Sequence, residues 1–165
     1  PICLRAQEII IPENTGTGYS FTAGVMFAIN NTNLQKNTAR PLLGLAWFGQ
    51  AGEIFGDNSA IGLSAEWMNF ERFDGDTVNL LPVFLNLKIY GAAAGWRLAT
   101  TLGAGILATS DDIPELGLNK GGNFGWTGKL GIDFTNEFFV QANFIGSSDP
   151  SKDGFAGVQF ASHWK

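Results

Sequence analysis

Hydrophobic and polar residues alternate with a period of two along much of this chain. In residues 124–134, FGWTGKLGIDF, the apolar Trp126 and Leu130 fall on one parity, while Lys129 and Asp133 fall on the other. Successive side chains of a β-strand point to opposite faces, so this pattern predicts a strand with one apolar and one polar face. The chain has no heptads and no long segment with a 3.6-residue period. We therefore predict an all-β protein.

Eight stretches of 8–14 residues show this alternation. The predicted strands are residues 19–29, 41–49, 60–70, 78–90, 95–108, 124–134, 138–145 and 155–164. A tilted strand needs about 9–11 residues to cross a bilayer. After the third strand the connections alternate between long and short, as they do in outer-membrane barrels. The pattern predicts one β-barrel domain over residues 19–165, with residues 1–18 outside it and an unexplained long connection at 50–59.

The composition narrows the choice of environment. Only 15% of the residues are charged, against about 25% in ordinary soluble domains, and 45% are hydrophobic. No apolar run reaches the roughly 18–20 residues that a membrane-spanning helix needs. Two options fit: a soluble barrel with a large apolar core, or a β-barrel in lipid.

Charge and cysteine content exclude several partners and cofactors. A net charge of −5 does not support binding to nucleic acid, which favours a basic surface. The single cysteine, Cys3, can form no internal disulfide and offers no paired metal spacing. We predict no cofactor and no metal. The chain begins at Pro1, which suggests a removed leader or a trimmed N-terminus.

The distribution of charge between the two parities predicts which face points outward. Every charged strand residue lies on the parity opposite to the tryptophans. An inward apolar face would crowd five tryptophans into a small lumen, whereas charges facing lipid near the midplane would cost about 2–4 kcal/mol each. We therefore predict an apolar face toward lipid and a packed polar lumen that is not an open pore.

With both termini on the periplasmic side, the strand directions predict layers inside this lumen. Glu66 and Lys129 would lie near mid-height, and we expect them to pair, because buried charges need partners. Lys88, Arg97, Asp133 and His163 would gather near the periplasmic end. The predicted polar network comprises Glu66, Lys88, Arg97, Lys129, Asp133, Gln141 and His163.

Aromatic residues near the strand ends predict girdles at the membrane interfaces. The predicted interfacial aromatics are Tyr19, Trp47, Trp67, Tyr90, Trp96, Trp126 and Trp164.

Four phrases carry a resemblance to a known family: LLPVFLNLKIYG, TLGAGI, GKLGIDF and the closing FAGVQFASHW. They resemble strands of the small eight-stranded outer-membrane barrels of the OmpA/OmpX-like and outer membrane β-barrel domain families. The last phrase resembles a C-terminal β-signal, although the chain ends at Lys165 and not at an aromatic residue. The resemblance covers residues 19–164. It implies an antiparallel up-and-down transmembrane barrel in the bacterial outer membrane.

Three features of the sequence are candidates for a specific chemistry. Some members of the resembled family modify lipid A, and such chemistry would use a Ser–His pair; His163, the sole histidine, is predicted at the periplasmic rim. The GAGILA of residues 103–108 matches a dinucleotide fingerprint, but loop-forming residues follow it where a helix is required. Acidic loops at 73–77, 109–115 and 147–154 could hold Ca²⁺ weakly, yet their residues are also ordinary turn formers.

We therefore predict a non-catalytic outer-membrane barrel that anchors, binds through its loops, or serves as a membrane subunit of a larger complex. Its expected surroundings are membrane lipid, or detergent after extraction, and further protein partners. Two alternatives stay open: an outer-leaflet lipid A-modifying enzyme, and a soluble barrel that carries an apolar ligand.

Overall fold

The computed structural model describes residues 18–28, 40–71, 77–93, 96–133, 138–149 and 154–164. Predictions for residues 1–17, for most of the 73–77 loop and for residues 150–153 of the 147–154 loop lie outside these ranges. So do the side chains of four residues that the sequence places in the lumen or at the interfaces: Trp96, Asp133, His163 and Trp164.

Eight antiparallel strands close into a barrel in which each strand pairs with its neighbours in sequence and β1 pairs with β8. They are β1 (Gly18–Ala28), β2 (Arg40–Gln50), β3 (Ser59–Glu71), β4 (Thr77–Ala93), β5 (Trp96–Thr109), β6 (Gly121–Asp133), β7 (Phe138–Ser147) and β8 (Gly154–Trp164). The prediction of an eight-stranded antiparallel barrel is confirmed. Each predicted strand boundary lies within three residues of the observed one.

The barrel has two different ends. We call the end at which β1 begins and β8 finishes the terminal end, and the opposite end the loop end. The connections β2–β3, β4–β5 and β6–β7 lie at the terminal end, because the strands alternate in direction. The β5–β6 connection at the loop end contains a short 3-10 helix, Pro114–Leu116.

The long β2–β3 connection folds into a compact turn around a short helix, α1 (Gly52–Phe55). Ala51 is buried, and its carbonyl oxygen accepts hydrogen bonds from the backbone N–H groups of Ile54 and Phe55 at 3.0 Å. Gly56 follows with a φ of +92°, a conformation that side-chain-bearing residues rarely adopt, and Ser59 Oγ donates to its carbonyl oxygen. Among the described residues, no helix is long and apolar enough to cross a membrane.

The outer face of the wall carries apolar side chains and the inner face carries the charged ones, as the alternation predicts. Leu45 and Phe160 are 65% and 66% exposed on the outer face, whereas Glu66 is 1% exposed inside. The described large apolar side chains exposed on the outer wall are Tyr19, Phe21, Val25, Phe27, Leu43, Leu45, Trp47, Ile61, Leu63, Trp67, Leu81, Val83, Leu85, Ile89, Leu102, Ile106, Phe124, Trp126, Leu130, Ile132, Phe138, Val158 and Phe160.

The lumen is polar over only part of its height. Toward the loop end it is filled by an apolar cluster, which we call the apolar plug: Met26, Leu42, Met68, Val78, Leu80, Phe84, Leu107, Ile113, Leu116, Leu118, Ile145 and Phe155. Three of these residues belong to the β5–β6 connection, which folds over the barrel mouth. The prediction of a polar lumen therefore applies to the middle of the barrel and is wrong for the loop end, where inward positions carry apolar side chains.

Candidate functional site

A buried ion pair occupies the middle of the lumen. Lys129 Nζ on β6 donates to Glu66 Oε1 on β3, and both side chains are at least nine-tenths buried. The sequence predicts this pair from parity and strand direction. Each residue sits on the inward face because its neighbours in the strand, such as Ala65 and Leu130, carry the outward apolar face.

Further polar side chains surround the Glu66 carboxylate, and together they form what we call the polar layer. Asn143 Nδ2 donates to Glu66 Oε2 at 3.3 Å, and Gln159 Nε2 donates to Oε1 at 3.4 Å. Gln141 Nε2 donates in turn to Gln159 Oε1, and Thr127 Oγ1 donates to Asn143 Oδ1 at 2.9 Å. One carboxylate thus receives donors from β6, β7 and β8, which satisfies a charge that would otherwise be costly to bury.

Glycine on the inner face makes room for this layer. A Cβ added to Gly44 would meet Thr22 Oγ1, and it would lie 2.9 Å from Glu66 Cγ. Gly44 pairs with both Thr22 and Glu66 in the strand register. The absence of a side chain at this position therefore leaves the space that the carboxylate occupies.

A small cavity of about 20 Å³ adjoins the polar layer on the side of the terminal end. Its lining includes Thr22, Asn86 and the Glu66–Lys129 pair. Asn86 Nδ2 donates to Ser64 Oγ and to the Phe84 carbonyl oxygen, while Asn86 Oδ1 and Thr22 Oγ1 have no hydrogen-bond partner among the described residues. A cavity of this size has room for about one water molecule.

A second cation lies closer to the terminal end, inside a group of aromatic rings. Lys88 Nζ is 4.6 Å from the ring centre of Phe139, 4.9 Å from that of Tyr90 and 5.3 Å from that of Phe48. The guanidinium carbon of Arg97 is 4.6 Å from the ring centre of Tyr90. These are cation–π distances, and such contacts are strongest where water is excluded. We call these five residues the terminal cluster.

Tyr90 corrects one prediction. Its place near a predicted strand end predicts an interfacial aromatic, but its side chain is 6% exposed and lies in the lumen. Tyr90 shares the parity of Asn86 and Lys88, and β4 continues to Ala93, so Tyr90 is not at the end of its strand. Proximity to a predicted strand end was a weaker guide than parity.

The other predicted residues lie as follows. Gln141 is buried in the polar layer, and Arg97 is partly buried at the terminal end. Asp133 pairs with Arg97 in the backbone register, and His163 pairs with Ser20, which places both backbones near the terminal end. The exposed aromatics on the outer wall that were predicted at interfaces are Tyr19, Trp47, Trp67 and Trp126.

The outer wall carries a groove that the sequence pattern did not predict. It has a volume of about 320 Å³ and is almost entirely apolar. We call it the outer groove; the described residues that line it are Phe21, Ala23, Phe138, Phe139, Val140, Phe160, Ala161 and Ser162, of which Phe139 and Ala161 have the inward parity and are buried. The register sets the small Ser162 between Phe21 and Phe138, and the small Ala23 beside Phe160. Only the pairing of β1 and β7 with β8 reveals this arrangement.

Two of the remaining candidate motifs, residues 103–108 and the 109–115 loop, have structural roles. Residues 103–108 lie within β5 and not at a turn from strand to helix, so the dinucleotide fingerprint is not formed. In the 109–115 loop, Asp111 Oδ1 accepts the backbone N–H of Asp112, and Asp112 Oδ1 accepts that of Lys120 at 2.6 Å. These carboxylates act as turn acceptors. Among the described residues, no group of three or more potential metal ligands occurs.

No protein-family model and no curated protein sequence matches the chain. Solved structures do match it. The outer membrane enzyme PagL has a TM-score of 0.63 at 18% identity, covering 87% of this chain and 97% of PagL. The Yersinia pestis outer membrane protein Ail has a TM-score of 0.51 at 10% identity, covering 90% and 100%. The Pseudomonas aeruginosa outer membrane protein OprG has a TM-score of 0.46 at 13% identity, covering 92% and 95%.

At these identities the similarity concerns the fold and transfers no residue role. The fold shared with PagL and Ail is the small eight-stranded outer-membrane barrel. This agrees with the resemblance seen in the sequence. One of the two similar proteins is named as an enzyme and the other is not, so the fold leaves the activity open.

Proposed function

We propose that this chain is a non-catalytic β-barrel of the bacterial outer membrane. Its role is structural: it anchors itself in lipid, presents its loop-end connections for binding, or forms the membrane part of a larger assembly. Both termini lie in the periplasm.

The observation that carries this proposal is the apolar outer wall. Large apolar side chains such as Leu45, Leu102 and Phe160 are exposed on the outer wall, and every strand contributes at least one. Soluble monomers rarely expose an apolar patch larger than a few hundred Å². In a bilayer these apolar side chains would contact lipid hydrocarbon and not water, and a closed barrel leaves no strand edge unpaired in lipid. The same wall argues against a soluble carrier.

The filled lumen supports a role other than conduction. The apolar plug, the polar layer and the terminal cluster occupy successive heights of the interior. We expect no stepwise ionic current when the folded chain is inserted into a planar bilayer. Regular conductance steps would argue for a pore and against a purely structural role.

The connections support a periplasmic terminal end. Only residues 94–95 separate β4 from β5, and residues 134–137 separate β6 from β7, whereas residues 110–120 join β5 to β6 at the loop end. Outer-membrane barrels have short periplasmic turns and longer extracellular loops. The loop end would therefore face the outside.

A lipid-modifying enzyme is the second candidate, because the fold is shared with an outer membrane enzyme. Against it, the sole histidine is His163, next to the last residue of β8 at the terminal end. In the proposed orientation that position is far from the outer leaflet. A Ser–His hydrolase needs its base at the substrate.

Heat modifiability tests membrane folding. A folded barrel extracted in detergent should migrate differently on SDS gels before and after boiling. The chain should also float with lipid vesicles in a density gradient. Identical migration, together with solubility in the absence of detergent, would favour the soluble carrier.

Cysteine labelling tests the orientation, in a Cys3→Ser background. Asn119→Cys at the loop end should react with a membrane-impermeant maleimide on intact cells. Phe55→Cys in the β2–β3 turn should react only after the outer membrane is permeabilised. The reverse result would invert the proposed topology.

Mass spectrometry of lipid A from cells with and without the protein tests catalysis: a change in acylation would favour the enzyme.

A further inference from the structure

The outer groove lies on the part of the wall next to the terminal end. Phe138 is the first residue of β7, and Tyr19 lies two residues from Phe21 toward the terminal end of β1. Tyr19 is 63% exposed, and tyrosines of this kind mark the headgroup level of membrane barrels. The groove therefore begins just inside the interface and extends into the apolar belt.

We propose that the outer groove holds one acyl chain of a phospholipid from the membrane leaflet at the terminal end. This inference rests on the proposed function, because it requires the outer wall to face lipid. Under the proposed orientation that leaflet is the periplasmic one. The site would be occupied in the native membrane without any covalent step.

The chemistry of the lining selects the occupant. Phe21, Phe138 and Phe160 are exposed rings around a floor that includes Ala23. A headgroup or a polar ligand would find few hydrogen-bond partners here, whereas a hydrocarbon chain needs none. The volume of about 320 Å³ falls at the lower end of the range of small-molecule sites, which is about 300–1,000 Å³.

The size of the groove argues against a second protein as its occupant. Eight of the described residues line it. A stable protein interface uses roughly 20–30 residues on each side, which bury about 800 Å² per partner. A single flexible chain fits a small concave site better.

Close contact, and not the hydrophobic effect, would hold the chain there. Lipid tails are as apolar as leucine, so transfer from bilayer to wall brings no hydrophobic gain. A groove surrounds an acyl chain on several sides, however, and dispersion attraction grows with the number of atoms in contact. We therefore expect a groove-bound lipid to exchange more slowly than lipid on the convex wall.

Photocrosslinking of the full chain tests this inference. Phe160→p-benzoylphenylalanine places a photoreactive ring at the groove, and Phe124→p-benzoylphenylalanine places one on β6, where Phe124 is 60% exposed and is not part of the groove. Each protein is folded into palmitoyl-oleoyl phosphatidylcholine vesicles, extracted in detergent, washed and irradiated. Mass spectrometry should show several-fold more phospholipid adduct at position 160 than at position 124.

A filling variant provides a second readout. Ala23→Phe adds a ring inside the groove and should reduce the adduct at position 160 several-fold. Ala104→Phe is the matched control, because Ala104 is exposed on the outer wall of β5, outside the groove. It should leave the adduct unchanged.

The outcomes distinguish failure of the groove proposal from failure of the proposed membrane location. A chain that neither floats with vesicles nor shifts on unboiled gels overturns both proposals. A chain that floats, yet gives equal adducts at the two positions, overturns the groove alone. Crosslinking to residues 1–17 or to a second copy at position 160 also overturns it, because another occupant would then fill the site.

Discussion

Glu66 and Lys129 form an ion pair inside the barrel although 63 positions separate them in the sequence and β4 and β5 lie between their strands. The pair therefore links two strands, β3 and β6, that do not pair directly with each other in the sheet. Asn143 and Gln159 add donors to the same carboxylate from β7 and β8. The polar layer thus crosslinks the barrel through its interior.

Removal of one partner of this pair should destabilise the fold strongly. We expect Glu66→Gln to lower the free energy of unfolding by about 3–5 kcal/mol, because Lys129 is left as a buried charge without its counter-ion. The double variant Glu66→Gln/Lys129→Met should recover much of this loss. Urea unfolding of the vesicle-inserted protein measures both.

Lys120→Met is the control for the loss of a lysine, because Lys120 is exposed at the loop end. It should change the free energy of unfolding little. An additive double variant, with no recovery over the single ones, would show that the two side chains do not depend on each other.

A charge on the outer wall should be costly at mid-height and tolerated at the rim. Leu102 is 59% exposed near the middle of β5, and we expect Leu102→Arg to cost about 2–4 kcal/mol in lipid vesicles. Thr77→Arg, at the loop-end start of β4, should cost only about 0–1 kcal/mol. Equal costs at the two positions would contradict the placement of the bilayer around this wall.

Two glycines should respond oppositely to the same substitution. A Cβ at Gly157 would meet the carbonyl oxygen of Val25 and the backbone of Met26, so Gly157→Ala should destabilise the barrel by about 1–3 kcal/mol. Gly128 has nothing within 4 Å of an added Cβ. Gly128→Ala should be neutral or stabilise by about 0.5 kcal/mol, since alanine restricts the unfolded chain. Thermal unfolding followed by circular dichroism compares the two.

The loop that closes the apolar plug should open when one of its buried side chains becomes polar. Ile113 is 2% exposed, and Ile113→Ser removes apolar contacts, a change that typically costs about 2–5 kcal/mol in a core. We expect faster tryptic cleavage after the exposed Lys120 in this variant, because the connection would open locally. Ile54→Ser in α1 is the control, since Ile54 is 78% exposed. Faster cleavage in both variants would point to global destabilisation.

Period-two alternation was sufficient to predict the barrel and the orientation of its faces. A strand has only two faces, so a slip of one residue along the strand would turn Glu66 outward or Leu130 inward. Such a slip would be costly, and the alternation therefore determines which face each residue occupies. Strand directions then placed Glu66 and Lys129 at similar heights. The ion pair was predictable because parity and direction were enough to locate both partners.

Other features depend on information that alternation does not contain. Parity identifies Met26, Met68 and Leu80 as inward residues, but it does not say that they lie together under a loop at one end. The outer groove depends on the register between neighbouring strands, which the turns and loops determine. Tyr90 was misplaced because the predicted β4 ended at residue 90, three residues before its observed end at Ala93.

The β5–β6 connection has a further consequence for protein engineering. Its Ile113, Leu116 and Leu118 belong to the apolar plug and close the barrel mouth. This segment is therefore a poor place to insert foreign epitopes for surface display. An insertion between these three residues would displace them from the lumen and expose the rest of the apolar plug to water. A graft that begins after Asn119 would leave all three in place.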